Sequence, residues 1–181
     1  MEDGRIANPG QLAALEPLGN EVDTVIVDTA SGIGDTVQFF TSASHEAIVV
    51  VSPEPTSITD AYTTIKVLSE SAAVRRFHVV VNMAPSVARA KDVFARLTSV
   101  TTQFLRAQVT YAGAVPRDGK VHTAVMAQRP VSMLYPQSQA TLALLQVADA
   151  LEQSAPPVLG GGLKLMWQRA LRDSILPEQV A

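Results

Sequence analysis

The chain lacks cysteine, an excess of positive charge and long apolar runs. Without cysteine it forms no disulfide and no thiolate metal site. Its 14 Lys and Arg against 17 Asp and Glu give a net charge of −3, which offers nucleic acid no electrostatic attraction. No apolar run approaches the roughly 18 residues of a membrane-spanning helix. Met1–Arg5 also lacks the basic-then-apolar start of a signal peptide. These absences favour a soluble or peripheral membrane protein.

Common catalytic motifs are also absent. There is no G-x-S-x-G nucleophile turn, and His45, His78 and His122 have no paired spacing that would indicate a metal site, so structural or surface roles are expected for them. The phosphate-loop motif G-x-x-x-x-G-K-[ST] is missing as well. Gly113–Val121 approaches it, but five residues separate its glycines and valine follows its lysine. The sequence therefore offers no recognisable loop for holding nucleotide phosphates.

Short apolar runs rich in β-branched residues alternate with longer amphipathic stretches. None of the runs alternates cleanly between apolar and polar residues, which predicts parallel strands covered on both faces. We therefore predict an α/β fold, a mostly parallel, doubly wound sheet, over residues 1–153. The predicted strands are Val22–Thr29, Ala47–Ser52, Phe77–Asn82 and Val109–Val115, and the predicted helices are Thr36–Ser44, Thr56–Ser71, Ser86–Leu105, Asp118–Gln128 and Gln137–Gln153.

Two segments of different character follow this domain. Residues 154–162 combine two prolines with three glycines and predict a flexible linker. Residues 163–176 predict an amphipathic helix, which favours a position in a membrane interface of anionic lipid; a partner groove or its own domain are the alternatives. Its apolar face comprises Leu163, Met166, Trp167, Ala170, Leu171 and Ile175, and its cations are Lys164, Arg169 and Arg172.

An apolar run that ends in a carboxylate marks the candidate site. Val25–Val27 leads into Asp28, which is followed by the glycine-containing loop Thr29–Asp35. Ligands of α/β sheets bind beyond the carboxyl ends of strands, where Asp28, with Asp35 as a second carboxylate, would face hydrated Mg²⁺. The alternative is that Asp28 only caps the helix that follows.

Five stretches of the chain form a recognisable set. They are Val25–Ile33, Val49–Tyr62 with its Pro-Glu-Pro-Thr-Ser-Ile-Thr-Asp-Ala-Tyr, Val79–Met83, Gly113–Asp118 and Arg129–Val131. Together they resemble the MinD/ParA group of ATPases, and within it the flagellar-number regulator branch called FlhG, FleN or YlxH, and they follow the family's order over roughly residues 22–150. Residues 163–176 also resemble the membrane-targeting helix that ends MinD-like proteins.

The resemblance implies a site for ATP or ADP with Mg²⁺. By this likeness Asp28 is the switch aspartate that holds the hydrated metal, and Asn82 contacts the adenine base. The loop after Asp28 would change shape between the ATP and ADP states. The further implied residues are Thr29, Gly32 and Asp35 in that switch loop, and Pro116, Arg117 and Asp118 in the loop that walls the base.

Three features of the family have no counterpart in this sequence. They are the deviant phosphate loop with its lysine, the switch I aspartate, and the amino-terminal segment that stimulates the GTPase FlhF. Without them this chain alone is not expected to bind ATP tightly or to hydrolyse it. A truncated chain and a natural degenerate paralogue are the two explanations, and a truncated chain that lacks central strands is expected to expose apolar sheet edges.

The resemblance implies a regulator of flagellar number and placement, a nucleotide-gated switch that is cytoplasmic and peripheral at the inner face of the cell membrane. The implied partners are an FlhF-like GTPase, a flagellar C-ring component or a transcription activator. A homodimer would pair two tails and raise membrane avidity. One alternative is a degenerate, non-catalytic interaction module at the membrane. The other is a ParA-like partitioning protein, which would need a basic surface for DNA, whereas this chain is acidic overall.

Overall fold

The computed structural model describes residue 22, residues 24–71 and residues 74–154. The tail predicted over 163–176 and the linker after Ser154 lie outside the described residues. In the described part, the strands are β1 (Ala47–Val51), β2 (Arg76–Ala84) and β3 (Gln108–Pro116). The helices there are α1 (Asp35–Ala43), α2 (Pro55–Ser71), α3 (Val87–Phe104), α4 (Gly119–Met126), α5 (Val131–Leu134) and α6 (Gln139–Ser154).

The alternation of strands and helices confirms the predicted α/β fold. The ends of all elements except α5 lie within two residues of their predicted positions. The four-residue helix α5 was missed, because so short a segment has no measurable periodicity. The strand predicted over Val22–Thr29 is wrong in the described structure. Residues 24–30 have no regular secondary structure, and the side chain of Ile26 is 80% exposed.

The described strands form a parallel sheet in the order β1-β2-β3. Ala47 pairs with Phe77 across β1 and β2, and Phe77 pairs with Val109 across β2 and β3. Because the strands run in the same direction, their carboxyl ends meet at one edge of the sheet. This edge is where ligands bind in α/β proteins.

Helices cover the sheet on both faces. On one face α2 and α3 pack against the strands, and Ile65, Phe77 and Leu97 are completely buried there. On the other face α6 packs against β3, where Val147 and Ala140 contact Val80 and Ala112. Burial of this kind stabilises a domain by roughly 25 cal/mol per Å² of apolar surface, so these two layers hold the sheet in place.

The β1 side of the sheet is left partly uncovered. In β1, Val49 and Val51 face the buried core, whereas Ile48 is 46% and Val50 is 60% exposed. Among the described residues, no strand pairs with β1 on the side away from β2. Among the described residues, β1 therefore exposes apolar side chains on one of its faces.

A charged cluster lies where β1 and β2 begin, at the end of the sheet opposite the carboxyl ends of the strands. The Nε2 atom of His78 lies 2.7 Å from Oε2 of Glu46, and Nη1 of Arg76 forms an ion pair with Oε1 of Glu46 at 2.8 Å. The other Nη of Arg76 donates a hydrogen bond to the carbonyl oxygen of Ser154. The cluster therefore joins the beginnings of β1 and β2 to the end of α6. His78 is buried and structural, as its isolated position in the sequence predicts.

Candidate functional site

The carboxyl ends of β2 and β3 form one corner of the sheet. The register pairs Ala84 with Pro116, and the backbone N–H of Arg117 donates to the carbonyl oxygen of Ala84 over 3.3 Å. Asn82 therefore lies two residues before Ala84, which pairs directly with Pro116. The structure brings the predicted base-contacting residue and the predicted base-walling loop together.

Asn82 has a defined side-chain orientation at this corner. Its Oδ1 accepts a hydrogen bond of 2.9 Å from the backbone N–H of Met83. The Nδ2 group has no hydrogen-bond partner within the described ranges, so it can donate to a ligand. The parallel ladder is irregular between Val81 and Ala84, which places Asn82 and Met83 outside the regular pairing with β3.

Asp118 holds the starts of two helices. Its Oδ1 accepts a hydrogen bond of 2.8 Å from the backbone N–H of Lys120 in α4, and its Oδ2 accepts one of 3.2 Å from the backbone N–H of Ala140 in α6. These hydrogen bonds, that from Lys120 first, lower the pKa of the Asp118 carboxyl. The stability that they contribute is therefore present above the ordinary carboxyl pKa and is lost as the pH falls through the lowered value. Asp118 thus fixes the position of the loop that begins at Pro116.

Lys120 is the lysine of the imperfect phosphate-loop motif, and the structure gives it another environment. Gly113 and Pro116 belong to strand β3 rather than to a loop, and Lys120 lies in the first turn of α4. Its Nζ atom lies 4.8 Å from the centroid of the Tyr135 ring, which is a cation–π geometry. The rejection of this motif as a phosphate loop is confirmed. Sequence reasoning missed the Tyr135 contact, because nothing local links the two residues.

The loop after Asp28 is exposed and precedes α1. Thr29 and Gly32 are exposed, Gly32 has a φ of +108°, and Asp35 is the first residue of α1. The Nε2 of Gln38 donates to the carbonyl oxygen of Ile33 over 2.8 Å, so the end of the loop is tied to the helix. The N-cap position of α1 is Gly34, so the alternative in which Asp28 caps this helix is wrong.

The Asp28 carboxylate is exposed and has no hydrogen-bond or ion-pair partner within the described ranges. None of the described contacts joins Asp28 to Asn82 or Pro116. In the same part of the chain, no three Asp, Glu or His side chains converge into a metal-binding group. The structure therefore brings Asn82 and Pro116 together at one corner and leaves Asp28 on a separate, exposed loop.

Solved structures share this architecture. The MinD cell division protein of Aquifex aeolicus superposes with a TM-score of 0.62 at 25% sequence identity, and the match covers 84% of this chain and 64% of that protein. No protein-family model matches the chain. The parallel α/β sheet of this chain therefore has the fold of the MinD-type ATPases.

Two curated relatives specify the branch of that group. The antiactivator FleN of Pseudomonas aeruginosa is 43% identical over 143 residues, which are 79% of this chain and 51% of FleN. The flagellum site-determining protein YlxH of Helicobacter pylori is 27% identical over 167 residues, 90% of this chain and 56% of YlxH. The chain belongs to the flagellar-number regulator branch that contains these proteins, and it spans about half the length of each.

Among the described residues, no helix is both long enough and apolar enough to cross a bilayer.

Proposed function

We propose that this chain regulates flagellar number and placement and acts as a nucleotide-gated switch at the inner face of the cell membrane. The observation that carries the proposal is its 43% identity to the antiactivator FleN over 143 residues. That name supports a transcription activator as one partner, and the name of the site-determining YlxH supports a role in placement. An FlhF-like GTPase and a flagellar C-ring component are the further proposed partners.

The corner formed by β2 and β3 supports binding of a nucleotide base. Asn82 offers a free Nδ2 donor there, and Pro116 offers an apolar ring next to it. An amide that donates and accepts hydrogen bonds can recognise the edge of a base, while an apolar ring contacts its flat face. A relative from Methanocaldococcus jannaschii, described as an ATP-binding protein and 29% identical over 152 residues, supports the same ligand class.

Asp28 supports the magnesium side of the site. Its exposed carboxylate has no partner within the described ranges, so it can accept hydrogen bonds from the waters of hydrated Mg²⁺. The bound metal would screen the charge of the nucleotide phosphates. The adjacent loop, with Gly32 at a positive φ, would respond to the phosphates and transmit the change to α1 through Gln38. Because the sequence has no phosphate loop, we propose that this chain alone does not hydrolyse ATP.

Residues 163–176 supply the proposed membrane contact. Trp167 and Leu171 on one helical face, with Lys164 and Arg172 outside it, suit an anionic lipid surface. One short helix binds a membrane weakly, and a homodimer that brings two together binds more strongly. We propose that nucleotide controls this pairing and thereby the association with the membrane.

A non-catalytic interaction module is the second candidate function. The observation that favours it is an exposed Asp28 carboxylate that none of the described residues contacts. Such a module would keep the membrane helix and the partner surfaces but would not respond to nucleotide. The two candidates therefore differ in nucleotide binding.

Titration of the chain with a fluorescent ATP analogue, with and without Mg²⁺, distinguishes the nucleotide-gated switch from the non-catalytic interaction module. We expect saturable binding that requires Mg²⁺, with no release of inorganic phosphate. Asp28→Ala should weaken binding by about tenfold or more, since it removes a charge-assisted contact to the hydrated metal. Asp149→Ala is the matched control, because Asp149 is an exposed carboxylate towards the far end of α6. Absence of saturable binding by the unmodified chain would reject the nucleotide switch in favour of the interaction module.

A further inference from the structure

The chain leaves the last described helix at the amino-terminal end of the sheet. Helix α6 ends at Ser154, and the side chain of Arg76, the first residue of β2, donates a hydrogen bond to the carbonyl oxygen of Ser154. Residues 155–162 separate this point from the proposed membrane helix, residues 163–176. These intervening residues span at most about 29 Å when fully extended. A tail on the membrane therefore keeps the amino-terminal end of the sheet close to the lipid.

A large aromatic side chain is exposed at the same end of the sheet. Because α3 connects two parallel strands, it ends where the next strand begins. Its last residue is Phe104, shortly before the start of β3 at Gln108, and Phe104 is 64% exposed. The residue after it, Leu105, packs against the buried core. Phe104 is thus held outside the domain by a neighbour that is anchored inside it.

Two exposed arginines accompany Phe104. Arg75 and Arg106 lie in adjacent loops, since Nη1 of Arg75 is 3.5 Å from the carbonyl oxygen of Arg106, to which it donates. The same Nη1 donates to the carbonyl oxygen of Ser69 over 3.2 Å and so caps the last turn of α2. The guanidinium of Arg106 has no hydrogen-bond or ion-pair partner in the described part of the chain. Its charge is therefore available to an external anion.

An aromatic ring next to a free guanidinium suits the surface of an anionic membrane. Aromatic side chains favour the level of the lipid headgroups, and the planar guanidinium pairs well with lipid phosphate. Exposed carboxylates in the last turns of α2 and α6, Glu70 and Glu152, oppose the attraction but form no ion pair with Arg106. The short connection to the tail makes lipid the surface that this end of the domain meets.

We infer that the amino-terminal end of the sheet is a second membrane contact, in which Phe104 enters the lipid headgroup region and Arg106 binds lipid phosphate. The inference rests on the proposed function, since it requires that the tail reaches the membrane. It also sets the orientation of the bound domain. The carboxyl ends of the strands, with Asn82 and Pro116, then point away from the membrane and stay open to a ligand.

A fluorophore whose emission rises in apolar surroundings measures this orientation. Because the chain has no cysteine, one introduced cysteine carries the only label. Gln103→Cys places the label next to Phe104, and Ala88→Cys places it at the other end of α3, about 22 Å away along the helix. Both positions are exposed. With vesicles of phosphatidylglycerol and phosphatidylethanolamine, emission should rise for Gln103→Cys and keep its solution value for Ala88→Cys.

Substitutions at the two ends of α3 test the contacts themselves by vesicle cosedimentation. Phe104→Ser should weaken vesicle binding about 3- to 10-fold, and Arg106→Gln about fivefold, because each removes a lipid contact. Arg106→Lys keeps the charge and should retain most of the binding. The matched controls are Val87→Ser and Lys91→Gln, at exposed positions near the start of α3. They should leave vesicle binding unchanged.

The possible failures of the inference and of the proposed function are distinguishable. If the chain pellets with vesicles but the label at Gln103→Cys does not respond, or both labels respond equally, the second contact is overturned and the tail contact stands. Equal vesicle binding of Phe104→Ser and Val87→Ser would overturn it in the same way. A chain that does not pellet with vesicles at all would overturn the proposed membrane association together with the inference.

Discussion

Replacing Gly113 by alanine is expected to lower the free energy of unfolding by about 2–5 kcal/mol. A Cβ atom at this position would lie 2.8 Å from Cγ2 of Val147, so the strand and helix α6 would have to separate. Gly113 also has a φ of +144°, which an L side chain rarely adopts. Steric overpacking and backbone strain therefore add, and urea unfolding followed by circular dichroism measures their sum.

Gly119→Ala is the matched control for this substitution. Gly119 is the first residue of α4, and a Cβ there would meet nothing within 4 Å. Its replacement should leave the stability unchanged or slightly raised, because alanine favours the helix. Measured against the single variant Val147→Ala, the added Gly113→Ala substitution should lose its steric cost and keep its backbone cost. A loss below about 0.5 kcal/mol for Gly113→Ala would show that α6 does not pack this closely on β3.

Deleting residues 163–176 is expected to abolish cosedimentation with vesicles of phosphatidylglycerol and phosphatidylethanolamine. The single substitution Trp167→Glu should reduce the bound fraction by about tenfold or more, because it removes the largest apolar side chain of the helix and adds a charge repelled by the lipid. These residues lie outside the described structure, so the expectation rests on their pattern in the sequence.

Gln168→Glu provides the control for charge alone. On a helix, Gln168 lies away from the face that carries Leu163, Met166 and Trp167. It should weaken vesicle binding only about two- to threefold, through electrostatic repulsion at the lipid surface. If Trp167→Glu and Gln168→Glu had the same effect, or if the deletion variant still pelleted fully, the membrane-targeting assignment would be incorrect.

The sequence predicts most of this fold because its strands contain short apolar runs and its helices are amphipathic. The strand β1 is clearly indicated by four consecutive β-branched residues. The helix α3 is clearly indicated by Val93 and Leu97 at helical spacing. The run around Val25–Val27 has a similar composition, but a strand also requires a hydrogen-bonding neighbour. In the described part of the chain it has none, and it is irregular.

The candidate site is also predictable only in part, because contacts between distant residues leave no signal in the local sequence. Asn82 and Pro116 follow apolar runs, and parallel strands place such residues at one edge. The positive φ of Met83 has no signal in the sequence, since methionine does not favour this region. The sequence also does not show that the Asn82 side chain accepts a hydrogen bond from the Met83 N–H. The second hydrogen bond to Asp118 comes from Ala140, 22 residues away, and only the packing of α6 reveals it.

Vesicle cosedimentation at several nucleotide states tests most directly whether nucleotide controls the association of this chain with the membrane. The unmodified chain and Asp28→Ala are each mixed with anionic vesicles in the presence of ATP–Mg²⁺, ADP–Mg²⁺ or no nucleotide. We expect the unmodified chain to pellet most with ATP–Mg²⁺, and Asp28→Ala to pellet equally in all three states. Equal pelleting of the unmodified chain in every state would contradict the switch and would indicate a constitutive interaction module at the membrane.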